Sequence, residues 1–217
     1  MGRKVNPIAF RIGPKYTWDS RWYAKNDGQY KKLVIEDARL REALMEKLRP
    51  AGISRVVIER LINKVDITLH VAKPGMAIGR GGAGMEELKK FVVKLMGLGG
   101  QEGKKGSPKV DLLIEPVKEP ALDAYLTAVM IAEQLMKRMP HRRAVNQALD
   151  KVMVAGAKGV KIRLAGRIGG AEISRTEVYK KGSLPTSTIR EIIDYGEVPS
   201  LTKSGYVGVK VWISKKD

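Results

Sequence analysis

The segment Ile78–Gly84 (IGRGGAG) and the arginines around Arg142 are the residues of this sequence best suited to hold a ligand. Gly79, Gly81 and Gly84 satisfy the G-x-G-x-x-G spacing of a dinucleotide-binding turn. That turn needs a buried strand running directly into it and an acid about 20 residues later at a strand end. Pro74 and Gly75 interrupt the approach, and the candidate acid, Glu102, falls in a glycine-rich stretch. No Gly-Lys-Ser/Thr occurs, which excludes a phosphate loop of the G-x-x-x-x-G-K-[ST] type. In a third reading, Gly79, Arg80, Gly81 and Gly82 place two glycines around two residues and permit a tight turn between helices. A nucleic-acid backbone can then approach the main chain closely, drawn by Arg80 and the amides opening the next helix. The bland alternative is a plain glycine-rich connection.

The second concentration of chemistry is charge. Lys137–Lys181 holds twelve Lys/Arg against three Asp/Glu, a net +9 in 45 residues and half of the whole-chain excess of +18. Arg142 and Arg143 fall in the first turn of a predicted helix, where cations oppose the helix dipole and cost stability. Lys161 and Arg163 share one face of a predicted strand. Lys158, Arg167, Arg175 and Lys180 lie in the flanking loops and hairpin. Positive charge set against local preference points to a phosphate backbone as partner. Aromatic residues are 6% of the chain and none flanks the glycine loop, so backbone and shape recognition are expected to outweigh base stacking.

The composition closes other routes. With 217 residues, 43% hydrophobic and 29% charged, the chain has the makings of one large or two small folded domains. Cysteine is absent, which removes disulfides, thiolate metal sites and cysteine nucleophiles. His70 and His141 are the two histidines. His70 sits on the polar face of a strand, where a solvated role is favoured over ligation, and no metal or cofactor is expected. No apolar run approaches a membrane span or a signal peptide, so a cytoplasmic location without membrane partner is expected. Carboxylates are scattered, no nucleophile–base–orienter set is legible, and no small-molecule substrate is implied. The chain is read as a non-enzyme. Its rivals are a free-standing RNA-binding factor and a nucleotide-using enzyme built on the glycine loop.

The elements that must position these residues follow from periodicity. Leu40, Leu44 and Leu48 mark a helix over 33–49, stopped by Pro50 and Gly52. Arg55–Arg60 and the alternating Val65, Ile67, Leu69 and Val71 predict a hairpin. After the glycine loop, Met85, Leu88, Val92 and Leu95 predict a helix, and Val110, Leu112 and Ile114 a strand. The stretch 97–108 reads as a loop. Helix, strand, strand, glycine loop, helix, strand is the order of a type II (prokaryotic) KH domain, with Gly79–Gly82 as its GXXG loop. Pro120 and Pro140 open two further helices, the first with Leu122, Tyr125, Val129, Ala132, Leu135 and Met136 inward. Strands around Val160–Leu164 and Val207–Ile213 follow. The fold class is therefore α+β, a basic N-terminal arm (1–30), a KH domain (31–117) and a smaller C-terminal α+β domain (118–217) of two helices on a mainly antiparallel sheet. The arm either orders on a partner or straps its own protein.

Met1–Arg11 (MGRKVNPIAFR), Trp22-Tyr23, Ala51–Arg60 (AGISRVVIER), Pro74–Gly82 (PGMAIGRGG), Arg142–Ala144, Gly156–Lys161 (GAKGVK), Gly166–Arg175 (GRIGGAEISR), Ile193–Tyr195 and Gly208–Ile213 (GVKVWI) together resemble, from end to end, the bacterial form of the ribosomal protein three family of the small (30S) subunit. The resemblance implies binding to 16S-type rRNA in the subunit head, beside the tenth and fourteenth small-subunit proteins. It also implies a place along the channel where mRNA enters, with a part in unwinding structured messages. Gly79–Gly82 would face RNA, Arg142 and Arg143 would grip mRNA, and Arg3, Lys4, Arg11, Lys158, Lys161, Arg163, Arg167, Arg175 and Lys180 would form an rRNA-binding surface. This chain departs from the family at Asn146, where a third basic residue often stands, at Gly84-Met85, expected to soften the following helix, and in the long 97–108 loop.

Overall fold

The computed structural model describes residues 4–97 and 109–216, which leaves Arg3 and positions 98–108 of the predicted loop outside the described residues. The chain forms two compact units, Trp18–Lys118 and a second in which the residues preceding Trp18 join Glu119 onward.

In the first unit, β1 (Ser20–Arg21) precedes α1 (Asp27–Lys47), and β2 (Ile53–Arg60) and β3 (Lys64–Val71) form the hairpin. The short α2 (Pro74–Ile78), α3 (Ala83–Leu95) and β4 (Lys109–Pro116) complete it. The sheet order is β1-β2-β3-β4, with β2 and β3 antiparallel and both outer pairings parallel. Strict alternation turns Val65, Ile67, Leu69 and Val71 onto one face, where they meet Leu40, Leu44 and Leu48 of α1 and Leu88 and Val92 of α3 in one core. Helix α1 starts six residues before the helix predicted over 33–49. Its first turns are exposed and carry no periodic signal, and Tyr30 is held there against Trp22, ring centroids 5.4 Å apart. Asp37, buried on α1, accepts from Trp22 Nε1 (2.8 Å) and from the Arg60 guanidinium, so its charge is paired rather than stranded.

The second unit contains α4 (Ala124–Met136), α5 (His141–Val154), β5 (Gly159–Gly166), β6 (Arg175–Gly182), β7 (Ile193–Thr202) and β8 (Gly205–Ser214). Its sheet runs β6-β5-β8-β7 with every pair antiparallel. Pro120 opens only a 3₁₀ turn. Helix α4 begins after Asp123, whose carboxylate caps it by accepting from the Leu126 amide at 2.9 Å. Its inward residues are Ala124, Ala128, Ile131 and Ala132, while Leu122, Tyr125 and Val129 are half-buried at the margin. A helix apolar on most sides carries too little periodicity to reveal which side faces the sheet. Val160, Ile162 and Leu164 of β5 and Val207, Val209, Val211 and Ile213 of β8 complete this core with Val145, Ala148, Leu149 and Val152 of α5.

From Lys4 to Thr17 the N-terminal arm is a strap across its own protein, and this corrects the assignment of Arg11 to an RNA-facing surface. Arg11 has no exposed surface. Its Nε donates to Glu191 O (2.7 Å), Nη1 to Pro7 O (2.9 Å), and Nη2 to Thr186 O (2.9 Å) and Thr188 O (2.8 Å). A guanidinium surrounded by carbonyls is consumed in tying the strap to the loop before β7 and cannot reach a phosphate. Tyr16 adds a second tie, donating its hydroxyl to Ile193 O at 2.9 Å.

Candidate nucleic-acid interface

The glycine loop has the geometry its sequence promised. Helix α2 ends at Gly79 (φ 71°, ψ 179°), a conformation essentially reserved for glycine, and α3 starts after Gly82 in the left-handed region (φ 84°, ψ 0°). Between them Arg80 and Gly81 are exposed, and a Cβ on Gly81 or Gly82 would meet no atom within 4 Å. The main chain is thus bare on its outer side, and no side chain caps the first amides of α3. Gly84 has a steric role that the expected helix softening did not foresee. A Cβ there would stand 2.7 Å from Ala77 O and 2.9 Å from Ile78 O, because α3 begins against the end of α2. Gly84→Ala is expected to force the two helices apart at a cost of about 1–3 kcal/mol, read as a lower thermal midpoint. An unchanged midpoint would remove the close-packing role.

The outer face of the first sheet is neutralised from within. Lys64 pairs with Asp66 (2.8 Å) and Asp111 (3.5 Å), Arg21 with Glu59 (2.9 Å), and Arg55 with Asp19 (3.5 Å). The hydrogen bond and charge of Asp66 raise the Lys64 pKa above that of a free amine. His70 lies 3.4 Å from Glu115 on this half-exposed face. Among the described residues no group of three His, Cys, Asp or Glu is arranged to hold a metal.

In the second unit, α4 is followed by Arg138 with a left-handed backbone (φ 60°), and Pro140 leads directly into α5. Arg142 and Arg143 are exposed in a first turn that has neither an acid nor a side-chain cap. Asn146 is exposed one turn later on the same side, where a third cation would continue the row. Sequence reasoning missed Glu177. It accepts from Tyr179 (2.7 Å), pairs with Arg175 (2.9 Å), and has His141 Nε2 at 3.1 Å. The Tyr179 hydrogen bond, then the charges of His141, Arg175 and Arg142, hold its carboxyl below the usual range. This acid on β6 thus stands beside the start of α5, where its charge faces His141 and Arg142.

The remaining cations separate into two groups. Lys158 pairs with Glu191 (3.0 Å), and Arg167 donates to Ala171 O (2.9 Å) and Ser204 O (3.2 Å), so both brace loops, as Arg175 braces Glu177. Lys161, Arg163 and Lys180 instead share the sheet face opposite the core. Lys161 is paired in register with Lys180 on one side and Trp212 on the other. Among the described residues none of the three meets an acid.

Two family models match the chain: "KH domain" over residues 39–122 and "Ribosomal protein S3, C-terminal domain" over residues 131–213. Small ribosomal subunit protein uS3 of Caldicellulosiruptor bescii is 48% identical over 217 residues, covering 100% of this chain and 93% of that protein. The chain belongs to the uS3 family. The uS3 proteins of Natranaerobius thermophilus and Parvibaculum lavamentivorans are each 46% identical over 215 residues, 99% of this chain and 89% and 86% of their own lengths. Membership in the uS3 family makes this a structural small-subunit ribosomal protein with an RNA-binding KH domain, not an enzyme. The α+β order of KH unit and antiparallel C-terminal sheet agrees with both family models.

Proposed function

We propose that the chain lines the channel through which mRNA enters the small subunit, gripping the message with Arg142 and Arg143 and contributing to its unwinding. It holds head rRNA through other surfaces, with the tenth and fourteenth small-subunit proteins as neighbours. The observation that carries this reading is the Arg142–Arg143 pair. Two cations stand exposed at an uncapped helix start, with no acid in that turn and the dipole opposing them. Such an arrangement costs helix stability, which Glu177 offsets in part at Arg142 and an anionic partner would offset further. Gly79–Gly82 supplies the KH contact, where bare main chain and Arg80 meet an RNA backbone. Lys4, Lys161, Arg163 and Lys180 form the rRNA-holding surface, with Lys158, Arg167 and Arg175 bracing its edges.

Arg142→Ala with Arg143→Ala, in subunits that assemble normally, is expected to slow translation severalfold on mRNAs with a hairpin ahead of the channel. Unstructured mRNAs should be translated nearly as before. Equal slowing on both templates would defeat the channel role.

A further inference from the structure

The open face of the C-terminal sheet carries a cavity of about 650 Å³ that neither the sheet nor the strap encloses alone. One wall is Lys161, Arg163, Tyr195, Lys210 and Trp212 of β5, β7 and β8. The other is the strap from Lys4 to Phe10, with Thr186 and Ser187 at the rim. Its size suits a nucleotide-sized group.

The charges in it are one-sided. Glu197 is its single acid and is already engaged, accepting from Tyr195 (2.7 Å) and pairing with Lys210 (2.8 Å). Lys161, Arg163 and the strap's Lys4 are left without a counter-charge in the lining, and Lys180 stands beside Lys161 in register. The Lys161 ammonium lies 5.0 Å above the Trp212 ring, which itself packs on Tyr195 with centroids 5.2 Å apart. Partial burial, and after it the like charges of Lys4, Lys180 and Arg163, lower the Lys161 pKa. Arg163 Nε is buried with no hydrogen-bond partner. A buried donor of this kind is costly unless something satisfies it. The outer face of the KH sheet, neutralised pair by pair, has no counterpart to this.

We infer that this cavity is a built phosphate site for a single-stranded rRNA segment, formed jointly by the strap and the open sheet face. Arg163 and Lys161 take the backbone phosphate, Lys4 closes over it, and the Trp212–Tyr195 wall receives the sugar or base. A phosphate accepts the fork geometry of a guanidinium, and a nucleotide supplies a flat apolar face that an acidic peptide lacks. The inference rests on the rRNA-binding reading above and names where one such contact is made.

The test uses the full chain and an rRNA transcript of the small-subunit head, with affinity measured over a range of salt concentrations. Lys161→Gln with Arg163→Gln is expected to lower affinity by about 10- to 100-fold and to reduce the salt slope by about 1.4, the value for two lost phosphate contacts on a single strand. Lys64→Gln, on the neutralised KH face, should leave the slope unchanged. Because the strap forms one wall, Arg11→Met should reduce the slope in the same direction. If the double variant keeps the wild-type slope while wild type binds the transcript, the cavity is not an RNA site and the general RNA-binding reading stands. If wild type prefers the transcript no more than an unrelated RNA, the general reading falls first. Displacement of the transcript by polyglutamate as effectively as by an oligouridylate would overturn the assignment to RNA in favour of an acidic protein partner.

Discussion

Arg11→Met is expected to release the N-terminal strap while leaving the KH unit folded. Methionine fills much of the same volume but leaves the carbonyls of Pro7, Thr186, Thr188 and Glu191 without the donor that now serves all four. Hydrogen bonds to a charged group are individually worth about 1.5–3 kcal/mol, and unmatched buried acceptors add a desolvation cost. Part of that cost is recovered as the strap lifts and water reaches the carbonyls, so about 3 kcal/mol or more is the expected loss. Hydrogen exchange should accelerate at residues 6–16 and 186–193 together, with α1 and β2–β4 unaffected. Arg11→Lys retains the charge without the planar fork and should fall between wild type and methionine. Unchanged protection in Arg11→Met would show that the strap is held by its apolar contacts alone.

The second large effect is expected in the KH loop. Arg80→Asp with Gly81→Asp changes the local charge from +1 to −2 at two exposed positions. Nothing lies within 4 Å of a Cβ at position 81, and aspartate is among the residues that best tolerate its left-handed backbone (φ 63°, ψ 16°). The fold should therefore survive, whereas crosslinking of this loop to RNA in assembled subunits should drop by about tenfold or more. Crosslinks of undiminished yield from the double-aspartate loop would remove the assignment of Gly79–Gly82 to RNA contact.

The KH unit was legible because its signals are local. Four alternating residues from Val65 to Val71 define a strand face, three leucines spaced by four define a helix face, and both meet in one core. The glycine loop declared itself by residue type, although the reason for Gly84 did not: the carbonyls it must clear are visible only once α2 and α3 are placed side by side. Arg11 was misread for a related reason. Nothing in the arm distinguishes it from a solvated cation, since three of its four acceptors come from residues 175–180 positions later. Trp212 and Tyr195 look like ordinary members of alternating strands, and only the register that sets them beside Lys161 makes them part of a basic cavity. Glu177 reads as a lone acid in a basic hairpin until β6 brings it to the start of α5.

The Arg11 staple also bears on the order in which the chain can acquire its structure. Residues 6–16 leave the translating ribosome long before the carbonyls and strand they dock against, Thr186–Ile193. The KH unit, Trp18–Lys118, is compact by itself and can form while the rest is still being made. The strap must meanwhile wait, tethered to a finished domain. Closing a loop of roughly 180 residues adds only a logarithmic entropy cost, so the delay does not weaken the final tie. It does leave the strap's Arg11 and Tyr16 without their acceptors until Thr186–Ile193 have emerged. For a protein made in a cell crowded with RNA, that interval is when the undocked Arg11 is open to any polyanion nearby.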